Sequence, residues 1–355
     1  MQTMILSTGA AIPPIIKTNR DFAINQFFDK HQQPILDPPL EVTEKFEAIT
    51  GIRERRYAPS DVMTSDLALD AARQAVDRAG IDPETLDFFL VANNFGDVQK
   101  HTIQSDFLPA IAARVKHDLR IRNPECIVFD LVIGCPGWIQ TMIQADLMIR
   151  CGEAKRGLVI GAETLSRVVD LHDRDSMIFA DGAGAVLIEG QEVANGRGIL
   201  AHKAVSHTLE EAYYLYLGRS NFPESDSRVR YIKMDGRKIY EYALSQVPKA
   251  MKAALDKSGR DISELKMIFI HQANEKMDEA IIKRFYKLYN MPEVPAGVVP
   301  MNIHELGNSS VATVPTLFHQ VLDGAIPGHS LEAGDLIMFA SVGAGMHINA
   351  MIYGM

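Results

Sequence analysis

Residues 75–92 read AVDRAGIDPETLDFFLVA, and residues 254–271 read ALDKSGRDISELKMIFIH. The two align without a gap at an offset of 179, which carries Gly80 onto Gly259 and Leu86 onto Leu265. Each is a helix closed by glycine, an acidic turn that supplies a new N-cap, and an apolar strand. Units of this kind are common in α/β proteins, so one match alone decides little. A second match follows in the same order. Ile133-Gly134-Cys135-Pro136 lines up with Leu306-Gly307-Asn308-Ser309, each just ahead of a helical pattern, GWIQTMIQADLMIRCG or SVATVPTLFHQVLDG. Further along, RGLVIGAE matches GDLIMFAS. The chain therefore reads as a duplicated α/β unit, with residues 1–195 as the first half and 196–355 as the second.

Working outward, strand-like runs alternate with helical ones along the whole chain. FFLVANN, CIVFDLVI, RGLVIGAE and AVLIEG read as strands in the first half, and MIFIHQAN, GVVPMNI, DLIMFASV and HINAMIY in the second. SDLALDAARQAVDRAG and IYEYALSQVPKAMKAALDKSG carry helical periodicity. This alternation predicts an α/β fold with largely buried sheets.

The bulk numbers narrow the classes. Of 355 residues, 47% are hydrophobic and 23% charged, the balance of a packed globular protein. No stretch approaches the roughly 18 uninterrupted apolar residues of a membrane helix. The opening MQTMILSTGAAIPP has no basic leader followed by a long apolar run, so no secretory signal is expected. A net charge of −9 and the lack of a dense Lys/Arg block argue against nucleic acid as a partner. They leave room for a local basic patch facing an acidic protein. Cys126, Cys135 and Cys151 are too few for a disulfide framework, and no C-x-x-C pair points to zinc. A reducing cytoplasm is the expected location.

The duplication also ranks candidate residues. Cys135 and Asn308 occupy equivalent places ahead of a helix, and Ala92 of the first half corresponds to His271 of the second. The three side chains Cys135, His271 and Asn308 are therefore expected near the pseudo-twofold axis relating the halves. Cys135 follows the strand CIVFDLVI and precedes a helix. The positive end of the helix dipole and its free N–H groups favour the thiolate there. A thiolate exchanges acyl groups with a thioester because the acyl group passes from one sulfur to another at similar energy. His271 stands at the end of the apolar run MIFI, and the C-terminal end of a strand is where α/β folds place chemistry. Asn308 alone would read as a turn or cap residue.

Two glycine-rich segments remain. Ser341-Val342-Gly343-Ala344-Gly345 follows DLIMFA, and its small residues let backbone N–H groups approach a substrate oxygen as an oxyanion hole. Asp181-Gly182-Ala183-Gly184-Ala185 precedes the strand AVLIEG instead of opening a helix, which excludes a dinucleotide fold.

Taken together, the chain resembles the β-ketoacyl-acyl-carrier-protein synthase III group of the thiolase superfamily over almost its full length. The matching pieces are Thr50-Gly51-Ile52-Arg53, Gly134-Cys135-Pro136-Gly137, Asp181–Ala185, His271-Gln272-Ala273-Asn274, and Gly307-Asn308-Ser309-Ser310 with Val314-Pro315. The resemblance implies a thiolase-like five-layered αβαβα fold in a homodimer. It implies that Cys135 takes the acyl group from a primer thioester. His271 and Asn308 then bond the carbonyl of a malonyl thioester while carbon dioxide leaves, and the enolate attacks the acyl-cysteine. The N–H groups of Cys135 and Ala344 would hold the oxyanion. Neither metal nor organic cofactor is implied, coenzyme A or phosphopantetheine thioesters being substrates. Arg174 and Asn274 are the implied contacts to the coenzyme A or phosphopantetheine portion, and Lys276, Lys283 and Arg284 on the helix after His271 the implied docking face for an acidic carrier protein.

Relatives within the superfamily fit less well. Degradative thiolases use a second cysteine near the C-terminus, whereas the last here is Cys151, and plant-type polyketide synthases have a different C-terminal glycine motif. Two departures bear on the primer. Members that take a coenzyme A primer stack its adenine on a tryptophan a few residues before Thr-Gly-Ile-Arg, with an arginine nearby, but Lys45 and Ile49 stand at those positions and Trp138 follows the cysteine. The stretch from Asn93 to Arg122 is also longer than the family leads one to expect, and residues 205–235, with Tyr213, Tyr214 and Tyr216, are candidates to line or cover the pocket. These features keep open a specialised ketosynthase of alkylresorcinol, aryl-polyene or quinolone type. An acyltransferase that forms no carbon–carbon bond and a non-catalytic partner subunit are the other open readings.

Overall fold

The structure is a computed structural model and describes residues 1–100, 102, 104–193 and 196–355. In chain order the strands are β1 (Gln2–Ala11), β2 (Ile15–Thr18), β3 (Glu54–Tyr57), β4 (Phe88–Ala92), β5 (Ile127–Leu131), β6 (Arg156–Thr164), β7 (Asp181–Gln191), β8 (Gly198–Ser206), β9 (Leu215–Gly218), β10 (Tyr231–Met234), β11 (Leu265–Ile270), β12 (Leu336–Gly343) and β13 (His347–Gly354). The helices are α1 (Pro39–Thr50), α2 (Thr64–Ala79), α3 (Ile111–Asp118), α4 (Gly137–Arg150), α5 (Gly236–Ser258), α6 (Glu275–Lys287), α7 (Ile303–Leu306) and α8 (Thr313–Leu322).

Two large sheets carry the fold, one in the order β1-β7-β6-β4-β5 and the other β11-β12-β13-β8. β4 runs parallel to β6 as β11 runs parallel to β12, and β1–β7, β7–β6, β8–β13 and β13–β12 are antiparallel. The second sheet thus repeats four strands of the first in neighbour and direction. β5 has no counterpart. GVVPMNI, expected as a strand, lies beside β11 and accepts one bond, from Ile268 N to Val298 O at 2.7 Å, without forming a ladder. Pro300 within the run, with Pro295 just before it, lacks the N–H donor a ladder needs. Residue 195, where the sequence was divided, lies outside the described residues; β7 ends at Gln191 and β8 begins at Gly198. The edge strands β1 and β8 escaped the sequence reading, and the Asp181–Ala185 glycines lie within β7, not before it.

Alternation along β4 and β11 shows how five layers stack. Phe89 and Val91 face a core shared with α2 and α3, whereas Phe88, Leu90 and Ala92 face one shared with α4 and α8. Met267 and Phe269 face that same middle core from the other sheet, and Ile268 and Ile270 face α5 and α6. Successive strand side chains point to opposite faces, so a sheet with helices on both sides reads as a continuous apolar run. The result is the five-layered αβαβα fold. Glycines permit close approach at the middle layer. A Cβ on Gly161 of β6 would lie 2.3 Å from Val311 O, and one on Gly184 of β7 2.8 Å from Pro315 Cβ. Among the described residues, no helix is long and apolar enough to cross a membrane.

Candidate active site

Gly134 has a φ of 65°, a left-handed conformation that favours glycine, and it turns the chain from β5 toward α4 with Cys135 at the bend. The adjoining end of β12 packs backbone to backbone against this turn. A Cβ on Gly343 would lie 2.6 Å from Cys135 N, and one on Gly134 2.7 Å from Ala344 N. The amides of Cys135 and Ala344 are therefore near neighbours, as an oxyanion hole requires. Both residues line an apolar pocket of about 140 Å³ together with Phe95, Leu165, Leu215 and Ile232.

The Cys135 side chain is only 8% exposed, and its Sγ accepts a hydrogen bond from Ser310 Oγ at 3.4 Å. The sequence led us to expect a thiolate at a helix terminus. Burial overrides that effect and pushes the thiol up to about 11, while the Ser310 bond pulls the other way and nearby Glu163 adds to the rise.

Asn308 follows Gly307, whose φ is also 65°. Its backbone is held on both sides, Asn308 N donating to Ile178 O and Ala180 N to Asn308 O, each at 2.8 Å. Its Oδ1 accepts from Ser310 N at 2.8 Å, which leaves the amide Nδ2 as the free donor. Ser310 thus touches both Asn308 and Cys135. His271 leaves the end of β11, its N donating to Ala340 O at 2.8 Å, three residues before β12 reaches the Cys135 turn. It is 4% exposed, and its Nδ1 has no hydrogen-bond partner among the described residues. Burial pushes its imidazole down to about 4, so it is neutral near pH 7.

Arg174 and Asn274 both border a cleft of about 350 Å³ that also contacts Lys45 and Ile49. Asn274 caps α6, its Oδ1 accepting from Met277 N at 3.0 Å. Arg174 lies 3.8 Å from Asp175 Oδ1. Lys45, at the position expected to stack on adenine, is instead paired with Asp37 at 2.8 Å and Glu41 at 2.9 Å. Lys276, Lys283 and Arg284 are exposed on α6; Lys276 Nζ donates to Ala48 O at 2.6 Å and Arg284 Nη1 to Leu244 O at 3.1 Å. Among the described residues no cluster of His, Cys, Asp and Glu is arranged to hold a metal.

Of the tyrosines, Tyr216 lines the Cys135 pocket, whereas Tyr213, 82% exposed, borders a neighbouring surface cleft with Tyr214. In the long 93–122 stretch, Asn94 and Phe95 reach the pocket, and Gln99, Phe107 and Leu108 line a separate surface cleft. Sequence reasoning assigned no role to Asn94, Glu163 or Ser310, which form a chain of buried and half-buried polar groups beside Cys135. The signal was there for one of them: Glu163 is a carboxylate at the end of an otherwise apolar strand run.

The family model "3-Oxoacyl-[acyl-carrier-protein (ACP)] synthase III" matches residues 129–207, and its C-terminal companion matches residues 255–355. A β-ketoacyl-[acyl-carrier-protein] synthase III of Erythrobacter litoralis is 31% identical over 347 residues, covering 97% of both chains. The crystal structure of 3-oxoacyl-[acyl-carrier-protein] synthase III from Aquifex aeolicus superposes with a TM-score of 0.79 at 29% identity, covering 99% of this chain and 100% of the other. The priming β-ketosynthase of a polyketide biosynthetic pathway superposes with a TM-score of 0.81 at 25% identity, covering 100% of this chain and 96% of that one. With two family models spanning more than half of its length and a full-length relative at this identity, the chain belongs to the 3-oxoacyl-[acyl-carrier-protein] synthase III family.

Proposed function

We propose that the chain carries out decarboxylative Claisen condensation, joining an acyl group loaded on Cys135 to a malonyl-type thioester on an acyl carrier protein. The observation that carries this reading is the Ser310 junction, which contacts the Cys135 sulfur and fixes the Asn308 amide so that its N–H₂ is free to donate. In the first step Cys135 Sγ attacks the primer carbonyl. The tetrahedral oxygen is held by the N–H groups of Cys135 and Ala344, and the donor thiol departs with the proton. In the second step a neutral imidazole N–H of His271 and Nδ2 of Asn308 bond the malonyl carbonyl. The bond to the carboxylate breaks, carbon dioxide leaves, and charge develops on an oxygen that already has two donors. The enolate carbon attacks the acyl-cysteine carbonyl, the carbon–sulfur bond breaks, and Cys135 departs as thiolate. Every step draws on side chains, backbone amides and substrates.

Arg174 and Asn274 border the cleft through which the thioester arm would approach, and α6 would receive the carrier. Lys283 is the best probe of that docking, because Lys276 and Arg284 already bond backbone carbonyls. Lys283→Glu should raise KM for the malonyl carrier about fivefold, with kcat unchanged. A homodimer is supported by the edge strand β5, where Ile127, Phe129 and the following Val132 expose apolar side chains beside unpaired backbone.

The paired Lys45 favours one second reading, a primer delivered on a carrier in a specialised pathway instead of by coenzyme A. Intact-mass screening of acyl-coenzyme A and acyl-carrier donors distinguishes the two by which one loads Cys135. Adding malonyl carrier should then release carbon dioxide and give a β-keto product. Acyl transfer with no new carbon–carbon bond would overturn the condensing reading, and the lack of any adduct would point to a non-catalytic subunit.

A further inference from the structure

Beside Cys135 lies a chain of buried and half-buried polar groups to which the steps of the proposed mechanism assign no chemistry. Asn94 Oδ1 accepts from Gly134 N at 2.9 Å. A backbone N–H can only donate, so the Asn94 amide has one orientation and its Nδ2 faces the other way. The two Nδ2 hydrogens go to Glu163 Oε1 and to Ser310 Oγ, the latter at 3.2 Å. Ser310 Oγ therefore accepts on one side, and its own hydrogen is left for Cys135 Sγ at 3.4 Å. The donors all run one way, outward from Asn94 to the sulfur. Ser310 holds this place with a φ of 53°, a backbone conformation costly for a side chain bearing a Cβ.

We propose that Ser310 is the hydrogen-bond donor that stabilises the Cys135 thiolate, and that Glu163, acting through Asn94, is the positioning residue that keeps its hydroxyl pointed at the sulfur. This rests on reading Cys135 as the nucleophile. A thiol must lose its proton to attack, and the deprotonated sulfur is a strong acceptor that a fixed O–H can meet. Glu163 is well placed for a holding role: it is 1% exposed, and its Oε2 has no partner among the described residues. Burial pushes its carboxyl up to about 8, so below that pH it accepts the Asn94 bond without placing a full charge near the sulfur. The other ionisable groups facing the chain are few. Asp181 on β7 reinforces the rise at Glu163, with Arg167 and Tyr57 in its field. His271, at the end of β11, is held neutral.

The test is the pH profile of Cys135 alkylation by iodoacetamide, read by peptide mass so that the exposed Cys151 is counted apart, which needs neither primer nor carrier. Failure of the condensing reading therefore leaves this measurement untouched. Ser310→Gly keeps the unusual backbone and removes the hydroxyl; its midpoint should rise by about one pH unit, and alkylation at pH 7 should fall about tenfold. Glu163→Leu removes the acceptor that fixes Asn94 and should lower alkylation at pH 7, where the parent carboxyl is neutral, whereas Glu163→Gln keeps an acceptor and should match the parent there. Asn94→Asp puts an acceptor where Nδ2 donates, turns the Ser310 hydroxyl away from sulfur, and should match Ser310→Gly. It serves as the readout should Ser310→Gly not fold. A Ser310→Gly or Asn94→Asp profile that coincides with the parent overturns the proposal, as does a Glu163→Leu rate at pH 7 equal to the parent's. A role in folding alone would lower the yield without separating Glu163→Leu from Glu163→Gln at pH 7.

Discussion

Gly134 and Gly307 share a φ of 65°, and each presents the next residue, Cys135 or Asn308, at the approach to a helix of the middle layer. The two turns share this glycine φ, yet their neighbourhoods differ. Asn308 is bonded at its N, its O and its Oδ1. Cys135 Sγ has a single weak donor and opens onto an apolar pocket. The first junction leaves its side chain free to form a bond, and the second fixes its side chain to give one. The same glycine conformation occurs at both turns, and the surrounding side chains leave one residue open to a pocket and hold the other on several sides.

The most damaging way to disturb this arrangement is to remove the reactive residue. Cys135→Ala should abolish the acyl adduct seen by intact mass and lower condensation at least about 1,000-fold. The backbone comes next. A Cβ at Gly134 or Gly307 meets an atom within 2.7 or 2.8 Å and is forced into the left-handed region. Gly134→Ala and Gly307→Ala should each cost about 3 kcal/mol in urea unfolding, combining the conformational penalty with overpacking. A near-zero cost at either site would mean that the two turns are not equivalent. Asn308→Ala should be milder still and more selective. It should leave the acyl adduct on Cys135 intact while slowing carbon dioxide release about 100-fold. If it blocked loading as completely as Cys135→Ala does, the division between a reactive and a rigid junction would be lost.

How far this was legible in the sequence depends on whether a feature is written locally. The paired helix–glycine–strand segments and the two Gly-X-helix junctions are local, and they sufficed to single out His271 at the end of β11 and Cys135 and Asn308 each after a left-handed glycine. The edge strands β1 and β8 are half of a pairing that closes across almost the whole sheet sequence, β1 with β7 and β8 with β13, and alternation within either one is weak. The run around Val298 forms no strand because Pro300, inside it, lacks the N–H donor that a ladder needs, a cost that apolar patterning alone does not register. The chain from Glu163 through Asn94 to Ser310 joins residues up to 216 positions apart, so only the folded backbone brings it together. The thiolate expectation failed for a related reason. A helix terminus can be read from sequence, but the burial that outweighs it cannot.

Protonation gives the subtlest contrast between the halves. Each contributes one buried ionisable group near Cys135 or in the same site, and each group is neutral near pH 7 by the opposite route. Burial pushes Glu163 up from 4.5 to about 8, and pushes His271 down from 6.5 to about 4. The folded chain therefore holds the Glu163 proton more tightly than the unfolded chain does. That contribution to stability is complete below pH 4.5 and is lost as pH rises through 8. For His271 the unfolded chain binds the proton more tightly, so its contribution is complete above pH 6.5 and is lost as pH falls through 4. Between about pH 4.5 and 6.5 the two slopes oppose one another. Above 6.5 only the Glu163 slope remains of this pair, which amounts to about 2 kcal/mol between pH 6.5 and 8. Other buried carboxyls such as Asp181 and Asp278 titrate as well, but they are common to parent and variant. The difference between parent and Glu163→Gln therefore isolates this one group. Urea unfolding should show the variant gaining about 2 kcal/mol on the parent over that interval. Parallel curves would mean that Glu163 is already ionised in the folded chain, and the symmetry of two groups held neutral by opposite shifts would be wrong.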